Sequence, residues 1–266
     1  MTSSHDVPAR GSLAPAVTRA AAVLDLLAAE PLRPVGPSEL GRRLGVAKSS
    51  ISNICAAMVA AGLLRQVDGG YRLGQRLVQY GEAYLAGVDL VREFHEACHG
   101  LGEDVDETVQ LAVLDGLEVI YLARRDGRQP LRLASEIGRR LPATCTATGK
   151  AMLAGLDPGE LERRLATVHR LPRLTAHSVA TRTALREQLA AVRERGYAVD
   201  DQEAVEGLRC LAMPVATGGR AEPAAVSFTL LQARWTAERE QRLLGTLREL
   251  TASVAQRLGT LAPRTG

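Results

Sequence analysis

Two histidines lie four residues apart, with a glutamate after the first, in the segment HEACH that begins at His95. On a helix this spacing places His95 and His99 on one face, where they can hold zinc while Glu96 acts as a catalytic base. A catalytic zinc site also needs a third protein ligand. Glu103 and Asp106 follow at once, but in a predicted turn and without a second helix that carries ligands. A zinc-dependent hydrolase is one interpretation, and a helix end with two polar histidines is the simpler one.

A second set of polar residues lies on a helix predicted from Lys48 to about Ala61. The inner positions of this helix are apolar. Its outer positions carry small polar side chains, whereas a merely solvated face usually carries Glu and Lys. In a helix-turn-helix such a helix enters the major groove of DNA, where Asn53 can bond an adenine edge. Two arginines on the following hairpin can hold phosphates. The predicted DNA-binding residues are Lys48, Ser49, Ser50, Ser52, Asn53, Arg65 and Arg72.

A third set of polar residues is distributed over several apolar strands and the start of one helix. In the strand AAVSFTL, alternation puts Ser227 and Thr229 on one face and the apolar residues on the other. Cys210 begins another strand, and Asp200 is predicted to lie in a loop. Residues 146–150 open a helix, whose first backbone N–H groups are free to bind an anion. Together these groups can form a pocket for a small carboxylate, although each one alone is more often an ordinary strand or core residue.

The residues before position 76 have the pattern of a winged helix-turn-helix. Apolar spacing predicts three amphipathic helices, and Asp68-Gly69-Gly70 is a hairpin-turn signal between two short strands. Ser38 is expected to cap the second helix, and Gly62 is expected to end the third. Residues 76–100 are predicted to form a linker helix that Gly81 or Gly87 can bend or split.

The rest of the chain mixes strands and helices without a regular βαβ alternation. A hairpin turns at Asp115-Gly116, an extended segment covers 131–138, and the C-terminal helix runs from Thr236 to Leu258. Paired hairpins favour an α+β fold with an antiparallel sheet. The pattern therefore predicts a disordered tail over 1–13, a winged helix-turn-helix domain over 14–75, a helical segment over 76–100 and an α+β domain over 101–266.

Composition narrows the function classes. The first 74 of the 266 residues hold eight basic and five acidic residues, and the remainder holds 25 of each, so the whole net charge of +3 lies in the helix-turn-helix region. Four scattered Cys without a CxxC pair fit a reducing cytoplasm, and no run of residues suits a membrane span or signal peptide.

The segment around Lys150 lacks the first glycine and the Ser or Thr of a phosphate-binding loop. No G-x-S-x-G or G-x-G-x-x-G motif occurs, so no cofactor is expected.

Three stretches resemble the IclR family of bacterial transcriptional regulators, namely GVAKSSISNICAAMVAAGLLRQVDGGYRLG, LPATCTATGKAMLA and GYAVDDQEAVEGLRCLAMPV. They occur in the family's order, within a match from about Ala16 to Gly259. The resemblance implies that residues 14–75 are the DNA-binding winged helix-turn-helix and residues 76–100 a linker helix. It also implies that residues 101–266 are a GAF-like effector-binding and oligomerisation domain, in a homodimer or a dimer of dimers. The family usually carries Arg where Asn53 stands. The residues on which the family's acid-binding groups fall are Ala147, Thr148, Asp200, Cys210, Ser227 and Thr229.

The sequence therefore predicts a cytoplasmic transcriptional regulator, a repressor rather than an enzyme, that binds double-stranded operator DNA and a small organic acid. Three positive charges on one subunit are few for a polyanion, so several DNA-binding domains are expected to act together. Three alternatives stay open: the zinc hydrolase, a GAF-like domain with a catalytic Cys210, and an architectural DNA-binding dimer without a ligand.

Overall fold

Four helices and a two-stranded hairpin form the described part of the N-terminal unit of the computed structural model, which describes residues 13–102, 105–128, 136–217 and 222–260. This unit ends at Gly87, and a second compact unit begins at Val88. The elements of the first unit are α1 (Pro15–Ala29), α2 (Pro37–Leu44), α3 (Lys48–Ala60), β1 (Leu64–Val67), β2 (Gly70–Leu73) and α4 (Arg76–Ala86).

The helix-turn-helix is set by local signals. Gly45 ends α2 in the left-handed conformation, with φ of +64°, and Gly62 follows α3 with φ of +72°, as predicted. The prediction that Ser38 caps α2 is wrong: the cap is Gly36, because Pro37 has a fixed φ suited to the first helical position and starts the helix before Ser38. The apolar sides of the three helices meet in a core that includes Val23, Leu27, Leu40, Ile51 and Cys55.

The second unit is an antiparallel sheet with helices packed against it. Its elements are α5 (Asp89–Cys98), β3 (Thr108–Asp115), β4 (Glu118–Arg125), β5 (Arg140–Pro142), α6 (Ala147–Ala154), α7 (Pro158–Ala166), α8 (Arg182–Arg195), β6 (Ala198–Asp201), β7 (Leu208–Val215), β8 (Ala224–Leu231) and α9 (Ala237–Thr260). The six strands follow the order β5-β4-β3-β8-β7-β6, and every neighbouring pair is antiparallel. The α+β class predicted from the mixed pattern is confirmed.

Two layers of helices cover this sheet. Helices α6, α7 and α8 share a core with Ala112, Tyr121 and Ala225 of the sheet. Helices α5 and α9 pack together against β4, β7 and β8, where Phe94 and Phe228 are fully buried. No helix in the described part of the chain is long and apolar enough to cross a membrane.

After position 75 the structure differs from the sequence prediction at Asp200 and at part of the segment 131–138. The helical segment predicted over residues 76–100 is split at Gly87, one of its two expected break points, because Gly87 ends α4 and Val88 is extended. Asp200 lies on strand β6, not in a loop, since it pairs with Cys210 of β7. Of the extended segment predicted over 131–138, residues 131–135 lie outside the described residues, and 136–138 are not in a strand. The tail over 1–13 also lies outside them except for Leu13, and the domain boundaries stay a prediction.

Candidate functional site

Strand register brings the predicted polar residues together. Asp200 lies opposite Cys210, and Cys210 lies opposite Thr229. On β8, two residues before Thr229, Ser227 lies opposite Gln110 of β3. Since directly opposed residues project from the same face of a sheet, these five side chains share the face that α6 covers.

The start of α6 is pressed against the turn that precedes it. The Thr146 side chain caps the helix by accepting a hydrogen bond from Gly149 N at 3.1 Å. A Cβ on Gly149 would lie 2.2 Å from the carbonyl oxygen of Ala143, so only glycine fits there. The first N–H groups of a helix have no acceptor within it, which leaves those of Ala147 and Thr148 for a ligand.

One cavity, here called the sheet pocket, lies between the start of α6 and strands β3, β4, β6, β7 and β8. All six residues predicted to hold an acid line it: Ala147, Thr148, Asp200, Cys210, Ser227 and Thr229. Its empty volume, including the mouth and the solvent space in front of it, is about 390 Å³. The role of these residues in binding stays a prediction, but their common location supports it.

Sequence reasoning missed two polar residues of the sheet pocket, Gln110 and Tyr121. Gln110 interrupts the apolar strand TVQLAVL, so the alternation argument used for Ser227 could have found it. Tyr121 carried no signal, because an aromatic residue is typical of any strand.

The walls of the sheet pocket are joined by hydrogen bonds. The hydroxyls of Tyr121 and Thr148 lie 3.4 Å apart, and Cys210 Sγ lies 3.2 Å from Thr229 Oγ1. Thr229 Oγ1 in turn donates to Gln110 Oε1 at 3.4 Å. Burial raises the pKa of the Cys210 thiol and of the Tyr121 phenol. Both groups are therefore neutral, and a neutral thiol is a poor nucleophile, which disfavours a catalytic Cys210.

Asp200 is held by backbone and faces a buried ion pair. Its Oδ1 accepts hydrogen bonds from Glu203 N at 2.7 Å and Ala204 N at 3.3 Å. Lys150 Nζ bonds to the Glu203 carboxylate and to Gln188 Oε1 at 3.3 Å. Burial raises the pKa of Asp200 to about 7, although Lys150 and the two backbone N–H groups oppose the shift. Lys150 is thus a buried partner of Glu203.

The HEACH segment lies at the end of α5 with His95, Glu96 and His99 exposed. His99 Nδ1 is 3.8 Å from Glu96 Oε2. Asp106 lies 3.4 Å from Arg128 Nε, and Glu103 is outside the described residues. Among the residues described, no three His, Cys, Asp or Glu side chains are grouped as metal ligands. The geometry gives the zinc hydrolase no support.

Helix α3 presents the predicted polar face. Lys48, Ser49 and Asn53 are exposed, and Ser50 and Ser52 are half-buried. The Arg19 guanidinium of α1 donates to Ser50 Oγ at 3.4 Å. Sequence reasoning missed Arg19, because its distance of 31 residues from Ser50 leaves no local signal. One more cationic group therefore stands at the N-terminal end of this face.

The two arginines of the hairpin differ in solvent exposure and in hydrogen bonding. Arg65 and Arg72 are directly opposite each other on β1 and β2. Arg72 is half-buried and donates to the carbonyl oxygen of Leu32, whereas Arg65 is exposed. We therefore expect Arg65 to be the more available of the two for a phosphate.

Part of the positive charge of this unit is neutralised internally. Arg33 and Arg43 pair with Glu30 and Glu39 in a network on α2 and the connection that precedes it. The basic residues of the described first unit outside that network are Arg19, Arg42, Lys48, Arg65, Arg72 and Arg76. Much of this set lies on or beside α3 and the hairpin.

Comparisons with known proteins agree with this two-part architecture. A family model described as the IclR helix-turn-helix domain matches residues 16–68, and one described as Bacterial transcriptional regulator IclR C-terminal matches residues 82–256. The HTH-type transcriptional regulator Rv1719 of Mycobacterium tuberculosis is 36% identical over 87% of this chain and 87% of its own. The transcriptional repressor IclR of Escherichia coli is 32% identical over 84% of this chain and 81% of its own.

A solved structure of an IclR homologue from Microbacterium hydrocarbonoxydans, complexed with 4-hydroxybenzoate, superposes with a TM-score of 0.72. It is 26% identical, covering 92% of this chain and all of that one. The family predicted from three sequence stretches is confirmed. The expectation of a regulator rather than an enzyme is confirmed as well, because the relatives found are named as transcriptional regulators. The chain belongs to the IclR family of DNA-binding bacterial transcriptional regulators.

Proposed function

We propose that this protein is a repressor whose affinity for operator DNA is controlled by a small organic acid bound in the sheet pocket. The observation that carries the proposal is the convergence of polar groups from α6, β6, β7 and β8 on one cavity. Two relatives support it, since one is named a repressor and the other is solved with 4-hydroxybenzoate. Such a regulator acts in the cytoplasm, where bacterial DNA lies.

The acid is proposed to bind with its carboxylate at the start of α6. The backbone N–H groups of Ala147 and Thr148 donate to it, and the positive end of the helix dipole favours its charge. The Ser227 and Thr229 hydroxyls and the Cys210 thiol then hold its other polar atoms. Tyr121 and Leu141 close the pocket with apolar surface.

DNA is proposed to bind to α3, with Asn53 reading base edges and Lys48, Arg65 and Arg19 on phosphates. One unit offers few cations, so we propose that a homodimer or a dimer of dimers binds one operator. Exposed apolar side chains on α1 and α4, which a monomer would leave in water, support self-association. They are Val17, Val78, Tyr80 and Tyr84, at 51–68% exposure.

Control by the acid requires two arrangements of the dimer that set the two α3 helices at different spacings on DNA. An acid can shift this equilibrium only if it binds one arrangement more tightly than the other. We propose that the arrangement stabilised by the filled sheet pocket has the lower operator affinity.

The DNA contacts are tested by selecting a preferred site from a random-sequence duplex library and comparing wild type with Asn53→Ala. We expect a loss of discrimination at one base pair worth ~1–3 kcal/mol. Gln241→Ala, which removes an exposed amide on α9, is the matched control and should change nothing. If Asn53→Ala keeps both affinity and base preference, Asn53 does not read bases.

The pocket is tested by calorimetry with a panel of monocarboxylates that includes glyoxylate and 4-hydroxybenzoate, on wild type and Asp200→Ala. We expect a member of the panel to bind wild type and to bind the variant more weakly. A binding acid that is indifferent to Asp200→Ala would remove this residue from the site. An empty panel would favour the architectural DNA-binding dimer.

A further inference from the structure

Three ionisable side chains are buried beside the sheet pocket, and their charges do not balance. Lys150, Asp200 and Glu203 are 2%, 3% and 5% exposed. Lys150 is already bonded to Glu203. One cation therefore serves two carboxyl groups, and an ionised Asp200 leaves one uncompensated negative charge in a site shielded from water.

The other groups that face Asp200 do not supply the missing positive charge. From β7 it meets Cys210, and from β4 the phenol of Tyr121, both of which stay neutral because burial raises their pKa values. The sheet pocket has no Lys or Arg among its described lining residues. Lys150 of α6 and Glu203 of the β6–β7 connection are the charged groups that act on Asp200. An acid in the sheet pocket would thus add a second uncompensated negative charge.

We propose that the sheet pocket binds its acid together with one proton, which is taken from solvent onto Asp200, and that it therefore selects monoanions over dianions. This inference rests on the proposed function, because it concerns the acid that the pocket holds. The proton goes to Oδ2, since Oδ1 accepts two backbone hydrogen bonds. The neutral carboxyl group then donates a hydrogen bond toward the ligand instead of repelling it.

The pH range in which binding takes up a proton is set by the pKa of Asp200 in the ligand-free site. With a pKa of Asp200 of about 7, the free site is mostly ionised at pH 8 and mostly protonated at pH 6. Binding should then take up about 0.9 proton at pH 8 and about 0.1 proton at pH 6. The affinity for a monocarboxylate should fall about tenfold for each pH unit above 7 and should be nearly constant below pH 6.

The test is titration calorimetry of the full-length protein in two buffers of different ionisation enthalpy, at pH 6 and pH 8. The probes are the monocarboxylate panel with glyoxylate and 4-hydroxybenzoate, and 4-hydroxybenzamide as a neutral analogue. A bound acid should show the proton uptake given above, and a bound amide should show none. Asp200→Asn keeps the shape of the protonated side chain, so this variant should bind the acid with no uptake and with equal affinity at both pH values.

The test distinguishes failure of this inference from failure of the proposed function. Tight binding of a carboxylate to wild type with no proton uptake at pH 8 overturns this inference and leaves the proposed function intact. Binding of a dicarboxylate such as succinate as tightly as a monocarboxylate also overturns it. If no panel acid binds at either pH, the proposed function is wrong, and this inference is wrong with it. Wild-type uptake decides the outcome even if Asp200→Asn does not fold.

Discussion

The buried carboxyl group of Asp200 makes the stability of the ligand-free protein depend on pH in a direction that can be worked out. Its pKa is raised from 3.8 to about 7 on folding, mainly because burial disfavours the charged form. A raised pKa gives a stabilisation that is fully present below pH 4 and is lost as the pH rises toward 7. A shift of about three units corresponds to about 4 kcal/mol in all, because one unit is 1.36 kcal/mol.

The assay is urea unfolding of the full-length protein between pH 5 and pH 8.5, followed by the fluorescence of Trp235. This residue is the one tryptophan of the chain, and its ring lies 4.1 Å from the Arg209 guanidinium in the second unit. Over this range the wild type should lose roughly 2.5 kcal/mol of unfolding free energy that Asp200→Asn does not lose. The difference between the two proteins cancels the titration of other groups.

The neighbouring residue provides the control. Asp201 is half-buried and lies 3.4 Å from Arg209. Asp201→Asn should therefore follow the wild-type pH dependence. If wild type and Asp200→Asn change in parallel from pH 5 to pH 8.5, or if the wild type gains stability relative to the variant, the proposed burial of a neutral Asp200 is refuted.

Three further changes have defined outcomes. Lys150→Met leaves Glu203 buried without its partner and should cost about 3–5 kcal/mol in the same urea assay, and adding Glu203→Gln should recover most of the loss. Gly149→Ala should lower the thermal midpoint and abolish acid binding, because its Cβ would overlap a backbone carbonyl at 2.2 Å. The control Gly155→Ala has its nearest atom at 3.5 Å and should be tolerated. Arg19→Ala should weaken binding to all DNA sequences alike and reduce the salt slope by about one.

Each of these three predictions has a result that would contradict it. A Lys150→Met protein as stable as wild type would show that the ion pair is not buried. A Gly149→Ala protein that binds acid normally would mean that α6 stands farther from the preceding turn. A base-dependent effect of Arg19→Ala would assign it to base reading instead of phosphate binding.

Local chemistry was enough to predict the helix-turn-helix. The periodicity of the three helices, the glycines at 45 and 62, and the Asp68-Gly69-Gly70 turn act within a few residues, so they can be read along the chain. The one error there, Ser38, came from two competing signals of similar strength, and the fixed φ of Pro37 prevailed.

Contacts between distant residues were not predictable in the same way. Arg19 and Ser50 are 31 residues apart, and Lys150 and Glu203 are 53 apart, so no spacing rule relates them. The sequence placed Lys150 in a helix start and excluded a phosphate-binding loop around it, but the partner of its side chain could not be foreseen. For residues 76–100 the periodicity is helical on both sides of Gly87, so the sequence left open whether Gly81 or Gly87 breaks the helix, and the structure shows the break at Gly87.

The amino-acid pattern was sufficient for the class of protein, for the polar face of α3, and for the side of β8 on which Ser227 and Thr229 lie, since a period of two depends only on backbone geometry. Folding was needed for two things that no local pattern contains. Strand register placed Asp200 beside Cys210 and, one strand farther, Thr229 beside Cys210, and burial raised the pKa of Asp200. Both depend on which distant segments pack together, because desolvation and Coulomb interactions act through space and not along the chain.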